Sequence, residues 1–120
     1  MQTILVVDDD KDILDVLQYI LEDFGYKVDT LSDGHFLFDQ IKQHAPDLIL
    51  LDIMLGNMDG RELCKNVKEK AETHDIPVIL TSASHIVSGS FHQNGGPDDF
   101  IAKPFDISVL LNCIERQLAA

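Results

Sequence analysis

Three features of the sequence predict an α/β fold: a doubly wound sheet of five parallel strands with helices on both faces. Short apolar runs of strand length alternate with amphipathic segments of helix length along the whole chain. The runs are apolar at consecutive positions, as strands covered on both faces require. Acidic, hydroxyl and lysine residues follow directly after the runs, at the carboxyl ends where open parallel sheets place their ligands.

Taken in order, Thr3–Val7 (TILVV) is the first strand. From Lys11 to Phe24 the residues Ile13, Leu17, Ile20 and Phe24 recur at helical spacing, with Asp10 as N-cap and Gly25 closing the helix. Lys27–Leu31 is a weaker strand whose polar residues suit an edge. A helix over Gly34–His44 carries Phe36, Leu37 and Ile41 inward, and Pro46 stops it. Asp47–Leu51 (DLILL) is the most apolar strand and is expected at the centre. A loop, Ile53–Asp59, leads to a helix over Arg61–Glu72 with Leu63, Val67 and Ala71 on one face. Pro77–Leu80 (PVIL) makes the fourth strand and Phe100–Ala102 a short fifth. Between them, Ser84–Pro97 holds Ser84, Ser88, Gly89, Ser90, Gly95, Gly96 and Pro97, so its helix is expected to be short or frayed. The last helix starts near Asp106, an N-cap, and packs Val109, Leu110, Ile114 and Leu118. Right-handed crossovers leave few topologies for this pattern. The flavodoxin-like order 2-1-3-4-5, a three-layer sandwich, is the natural one.

At 120 residues, 45% hydrophobic and 25% charged, the chain suits one domain over residues 1–120 with a core that needs no staple. Cys64 and Cys113 fall in helical patterns with no C-x-x-C pairing, so two reduced thiols in a reducing compartment are expected. No apolar stretch is long enough to span a membrane, and Met1 leads straight into a strand without a signal peptide. A cytoplasmic location is expected, with no membrane partner. Twenty-one acidic against 9 basic residues give a net charge of −12, which repels nucleic acid and argues against direct contact with it. The five histidines and two cysteines show no zinc-ligand spacing, and neither glycine-rich nucleotide motif is present.

The clustering of the acidic residues is the informative part. Strand one ends in Asp8 and Asp9, strand three in Asp52, strand four in Thr81 and Ser82, and strand five in Lys103. Strands one and three are neighbours in the expected order, so Asp8, Asp9 and Asp52 converge. Crowded carboxylates raise one another's pKa values or hold a cation, and oxygen-only ligands favour Mg²⁺. Lys103 adds a point charge for an anion, and Ser82 a hydroxyl donor. That set suits phosphoryl transfer, where positioning and charge neutralisation do most of the catalysis. Singly, each residue has a plainer role: aspartates cap helices, which accounts for Asp10 and can account for Asp8, Lys-Pro pairs are common in loops, and Ser82 can satisfy an amide. Caps and turns do not explain their joint placement at the strand ends.

The segments ILVVDDD (4–10), LILLDIMLGNMDG (48–60), PVILTSAS (77–84) and DDFIAKPFD (98–106) resemble the receiver domain of two-component response regulators, over the whole chain. The resemblance implies that Asp52 is the phosphoacceptor and that a sensor histidine kinase or histidine phosphotransfer protein donates the phosphoryl group. It implies that Mg²⁺ is held by Asp9, Asp52 and the backbone carbonyl of Met54, with Asp8 acting through water. Lys103 would pair with the phosphoryl group, Ser82 would swing to hydrogen-bond it, and Phe100 would turn inward with that movement. At strand four Ser82-Ala83 matches the family's Thr/Ser-Ala pair, and Thr81 is the alternative. Such a domain catalyses only its own phosphorylation and dephosphorylation and passes the change to a downstream effector that the sequence does not name.

The chain departs from the family pattern in four places. Gly56 stands where proline is usual, which implies a more flexible loop. Phe100 replaces the commoner tyrosine, so any signal travels by packing. Ser84–Pro97 weakens a helix that often serves as output surface. Met54 and Ser84 flank the position of the attacking water, and a thioether cannot orient water, so slow self-hydrolysis is expected. Two other classes remain. A Mg²⁺-dependent phosphatase has a second aspartate two residues after its nucleophile, where this chain has Met54. A pseudo-receiver keeps the fold and binds proteins without the switch; intact Asp9, Asp52, Ser82 and Lys103 oppose it, while the weak fourth helix favours it.

Overall fold

The computed structural model describes residues 1–83 and 96–119. Its elements are β1 (Thr3–Val7), α1 (Lys11–Asp23), β2 (Lys27–Leu31), a 3₁₀ turn (Gly34–Phe36), α2 (Leu37–Gln43), β3 (Leu48–Asp52), β4 (Met54–Leu55), β5 (Met58–Asp59), α3 (Gly60–Glu69), β6 (Val78–Ser82), β7 (Asp99–Ala102) and α4 (Ile107–Ala119). The main sheet runs β2-β1-β3-β6-β7, parallel throughout. That is the expected order, with β3 at the centre and β2 at an edge.

Alternation along each strand explains the two layers of helices, because successive side chains point to opposite faces. Ile4, Val6, Leu48, Leu50 and Ile79 meet Leu14, Leu17 and Leu21 of α1 and Leu110 and Ile114 of α4 on one face. Leu5, Val7, Ile49, Leu51 and Leu80 meet Leu37 and Ile41 of α2 and Leu63 and Val67 of α3 on the other. Each such aliphatic side chain contributes about 2 kcal/mol by leaving water. Both faces are therefore strongly held. Cys64 and Cys113 are buried free thiols within these layers.

Helix ends follow local chemistry. Asp10 caps α1, its carboxylate accepting from the Asp12 N–H at 2.9 Å, and Gly25 follows the helix at φ 94°. Asp106 caps α4 by accepting from the Ser108 N–H at 2.8 Å.

Several inward faces differ from expectation. Phe24 is exposed because it lies past the last turn of α1, whose buried stripe runs Leu14, Leu17, Leu21, with Ile13 and Ile20 on its flanks. The single helix expected over Gly34–His44 is a 3₁₀ turn followed by a short α-helix. Three residues per turn shift the phase, so Phe36 points outward while Leu37 and Ile41 point in. Helix α3 ends at Glu69, so Ala71 lies beyond it and is exposed; Thr73 is buried instead, donating to the Val67 carbonyl at 2.6 Å. On α4 the buried stripe is Leu110, Leu111, Cys113 and Ile114, which turns Val109 to solvent.

Strand bounds move by one or two residues. Asp47 precedes β3, its side chain accepting from the Thr3 N–H at 2.7 Å, and Pro77 precedes β6. The expected loop at 53–59 contains a two-stranded antiparallel hairpin, β4–β5. The helix expected within Ser84–Pro97 lies outside the described residues, save that Gly96 and Pro97 have no regular structure. Directly after them, Asp98 clasps two elements. Its N–H donates to the Val78 carbonyl, and its carboxylate accepts from Val78 N–H at 2.8 Å and from Lys68 of α3 at 2.6 Å.

One glycine sets how closely α3 approaches the central strand. A Cβ built on Gly60 would lie on the backbone carbonyl of Asp52 and within 2.9 Å of the Ile53 Cα. Backbone cannot give way as a flexible side chain can, so the start of α3 must retreat if this residue is enlarged. We expect Gly60→Ala to lower stability by about 2–3 kcal/mol, read by urea denaturation. A midpoint equal to that of the unmodified protein would show that the contact is not tight.

Candidate functional site

The pairing of Val7 with Leu51 carries β1 and β3 in register to the end of the sheet, where the next residues are Asp8 and Asp52. The Asp8 N–H donates to the Leu31 carbonyl at 3.1 Å, which extends the β1–β2 ladder by one residue and turns the side chain inward. Its two oxygens have separate partners: Oδ1 accepts from the Asp10 N–H at 2.9 Å and Oδ2 from Lys103 Nζ at 2.8 Å. Lys103 Nζ also lies 3.3 Å from Asp52 Oδ2. The side chains of Asp8 and Asp52 are only 3% and 5% exposed, and that of Lys103 15%. Lys103 arrives from the far side of the sheet, at the end of β7, its N–H donating to the Ser82 carbonyl at 2.9 Å. The chain then passes a cis Lys103–Pro104 peptide into α4.

Asp9 is exposed, unlike Asp8 and Asp52, and its Oδ2 accepts from the Gly56 N–H at 3.0 Å. One carboxylate oxygen from each of Asp8, Asp9 and Asp52 lies within 4.8 Å of the other two. At that separation each pair of charges repels by about 3 kcal/mol at an effective dielectric of about 20. One ammonium cannot neutralise three carboxylates. Burial pushes the Asp52 carboxyl above the ordinary aspartate range and the Asp8 charge pushes it the same way; Lys103 and the Met54 backbone amide oppose this without cancelling it. Burial alone would lower the Lys103 pKa, yet its hydrogen bond to Asp8 and the charges of Asp52 and Asp8 outweigh that and raise it. Lys103 is therefore a cation at neutral pH. The donor set is all oxygen, partly buried and over-negative, which fits a hard divalent cation such as Mg²⁺.

The remaining expected residues lie around this cluster. Thr81 and Ser82 are both buried at the end of β6. Thr81 stands opposite Asp52 in the ladder, and Ser82 opposite Ala102, the residue before Lys103. Phe100, half-buried on β7, packs against the cluster that covers the α2–α3 face. Met54 is 66% exposed, and its backbone amide hydrogen-bonds Asp52. Sequence reasoning missed the contact of Gly56 with Asp9. The Gly56-Asn57 pair between Met54-Leu55 and Met58-Asp59 was the available signal, because glycine opens a two-residue hairpin turn.

Residues 4–115 match the family model of the response regulator receiver domain. The chain belongs to that family. The receiver domain of NtrX from Brucella abortus is 35% identical, with 98% of each chain covered and a TM-score of 0.86. A CheY-like receiver domain protein from Methanospirillum hungatei is 31% identical over 99% of this chain and 94% of its own, with a TM-score of 0.89. The signal receiver domain of a histidine kinase from Syntrophus aciditrophicus is 33% identical over 99% of this chain and 91% of its own, with a TM-score of 0.89.

This receiver domain also has a groove beside the acidic cluster. Its volume is about 380 Å³ and its walls are mostly apolar, with Ile13, Val16 and Ile20 from α1, Phe105 and Ile107 in the lining beside Lys103. Val16 and Ile107 are about half exposed.

The directions of the shifts at Asp52 give a titration test. Removing Lys103 removes one of the two influences that hold its carboxyl down, so in metal-free protein Asp52 should titrate above an exposed aspartate, and higher still in Lys103→Met. Carboxyl-carbon NMR across the acid range reads both. An Asp52 that titrates below an exposed aspartate in the unmodified protein would contradict the balance described.

Proposed function

We propose that residues 1–120 act as one phosphorylation switch, in which Asp52 accepts a phosphoryl group from a phosphohistidine of a sensor histidine kinase or histidine phosphotransfer protein. The observation that carries this reading is the meeting of Asp8, Asp9 and Asp52 within 4.8 Å, with Lys103 at 2.8 Å from Asp8 and 3.3 Å from Asp52. In this reading Asp9, Asp52 and the Met54 carbonyl would hold Mg²⁺, with Asp8 acting on it through water. When bound, the ion supplies the positive charge that three carboxylates and an incoming phosphoryl group require.

The chain's own groups divide the remaining work. An ionised Asp52 oxygen attacks phosphorus; the new O–P bond forms as the N–P bond to the partner's imidazole breaks, and the electron pair leaves with that nitrogen. Lys103, already a cation between Asp8 and Asp52, pairs with the phosphoryl oxygens. The Ser82 hydroxyl donates to one of them, in preference to Thr81, and Phe100 repacks as Ser82 moves. The altered surface then changes binding of a downstream effector.

The groove between α1 and the start of α4 adjoins Lys103 and provides an apolar seat next to the acceptor, which supports docking of the phosphoryl donor there. A net charge of −12 supports a domain that does not itself touch nucleic acid. Among the described residues no helix is long and apolar enough to cross a membrane, and a cytoplasmic location is part of the proposal. The domain acts on no substrate other than its own acceptor. A pseudo-receiver that only binds proteins would not need an ammonium within reach of two buried carboxylates, and for that reason we place it second.

Incubation with Mg²⁺ and acetyl phosphate should add the mass of one phosphoryl group, and Asp52→Asn or omission of Mg²⁺ should abolish the adduct. Intact-mass spectrometry suits a chain without tryptophan. No adduct, from acetyl phosphate or from a panel of histidine kinases, would favour the pseudo-receiver. A second expectation concerns lifetime. The exposed Met54 thioether cannot orient water by hydrogen bonding, so the phosphorylated form should persist in the absence of a phosphatase. Its loss within seconds would refute this.

A further inference from the structure

The exposed member of the acidic cluster is held by a backbone group. Asp9 lies on the solvent side of Asp8 and Asp52, and its Oδ2 accepts from the Gly56 N–H at 3.0 Å across a sequence separation of 47. We propose that the Gly56 amide is a positioning donor that fixes the Asp9 carboxylate for the divalent cation, an inference that rests on the Mg²⁺ reading above.

The hairpin gives this donor a firm mount. Met54 pairs with Asp59 and Leu55 with Met58, which leaves Gly56 and Asn57 as a two-residue turn. Gly56 has φ 64° and is the only described residue besides Gly25 with positive φ, the pattern of a turn that starts with glycine. Both ends of the hairpin are tied down. On one side Met54 follows the acceptor strand; on the other Asp59 caps α3, accepting from the Arg61 N–H at 2.9 Å, and the Gly60 N–H donates to the Ile53 carbonyl at 2.8 Å. The Gly56 amide is thus located by the same backbone that carries Asp52.

Carboxylate chemistry makes the contact productive. A carboxylate has two oxygens and about four acceptor sites, so one hydrogen bond at Oδ2 leaves room for a cation. An exposed aspartate would otherwise sample several rotamers, and restricting it lowers the entropy lost when a metal binds. The carboxylate is already within 4.8 Å of its two neighbours while the bond is made, so the bond favours the gathered arrangement. A Cβ at position 56 would meet nothing within 4 Å. The demands on this residue are therefore a free N–H and tolerance of positive φ.

Two replacements test the donor at fixed turn geometry. L-Proline would lose the N–H and the positive φ together, whereas D-proline in place of Gly56, installed by semisynthesis, deletes the donor and keeps φ near the 64° of the turn. Gly56→Asn keeps the donor, and asparagine tolerates positive φ better than other side chains. By isothermal titration calorimetry with MgCl₂, the D-proline protein should bind about tenfold more weakly than the unmodified protein, and Gly56→Asn should bind nearly as well as the unmodified protein. In metal-free protein the Gly56 amide should exchange slowly by NMR, and Asp9→Ala should release it, a readout that needs no change at position 56. Equal affinity of the D-proline and unmodified proteins would overturn the inference and leave the phosphoacceptor reading intact. So would an Asn variant as weak as the D-proline protein, because the donor it keeps would then not set affinity. An unmodified protein that binds no Mg²⁺ would remove the functional reading itself, and the positioning role with it.

Discussion

Three carboxylates gathered at the end of two adjacent buried strands impose the main constraint on this molecule. Parallel pairing of β1 with β3 brings Asp8 and Asp52 together whatever their charge. Two of the three side chains are almost fully buried, where each ionised group loses hydration and repels its neighbours. Among the described residues Lys103 supplies the one cation within the cluster, and it follows β7, two strands away from Asp52. The ladder from β3 through β6 to β7 is therefore part of the electrostatics: the amide of Lys103 is bound to the Ser82 carbonyl, and its ammonium reaches back across the strand ends. A negative excess remains, and that excess suits the site to a divalent cation.

Backbone geometry provides the second layer of control. Gly60 lets α3 start against β3 with no atom to spare, and the β4–β5 hairpin folds back so that an amide meets Asp9. These contacts arise from main chain on main chain or main chain on carboxylate. The main-chain contact loses little entropy on forming, because both backbones are already fixed by secondary structure, whereas the Asp9 side chain gives up rotamer freedom to make its bond. The Lys68–Asp98 clasp does similar work at the opposite end of the sheet, tying α3 to the starts of β6 and β7. Lys68 is only 12% exposed, so this pair is screened by solvent less than the exposed Lys65–Glu69 pair on the same helix.

Much of this was legible along the chain. Runs that are apolar at consecutive positions in β1, β3 and β6, in alternation with amphipathic segments, specify a parallel sheet covered by helices on both faces. The strand order followed from crossover handedness, and the cluster of Asp8, Asp9, Asp52 and Lys103 followed from the order. Inward faces were read less well. Phe24, Phe36, Ala71 and Val109 all sit near a helix end or phase shift, where a rotation of one residue turns a side chain from core to water. Apolar character alone does not set that phase; the packing of the neighbouring turn does.

The sequence by itself determined the architecture, the layer of each strand and the identity of the charged groups at the strand ends, because these depend on periodicity and on the fixed hand of parallel crossovers. Only the tertiary structure decided how those groups share their partners. Lys103 divides itself between Asp8 and Asp52, while Asp9 turns instead to the amide of Gly56. The physical reason is distance. Hydrogen bonds act within about 3 Å, and contacts between residues far apart in the chain become definite at that scale only after the sheet has set the positions of both.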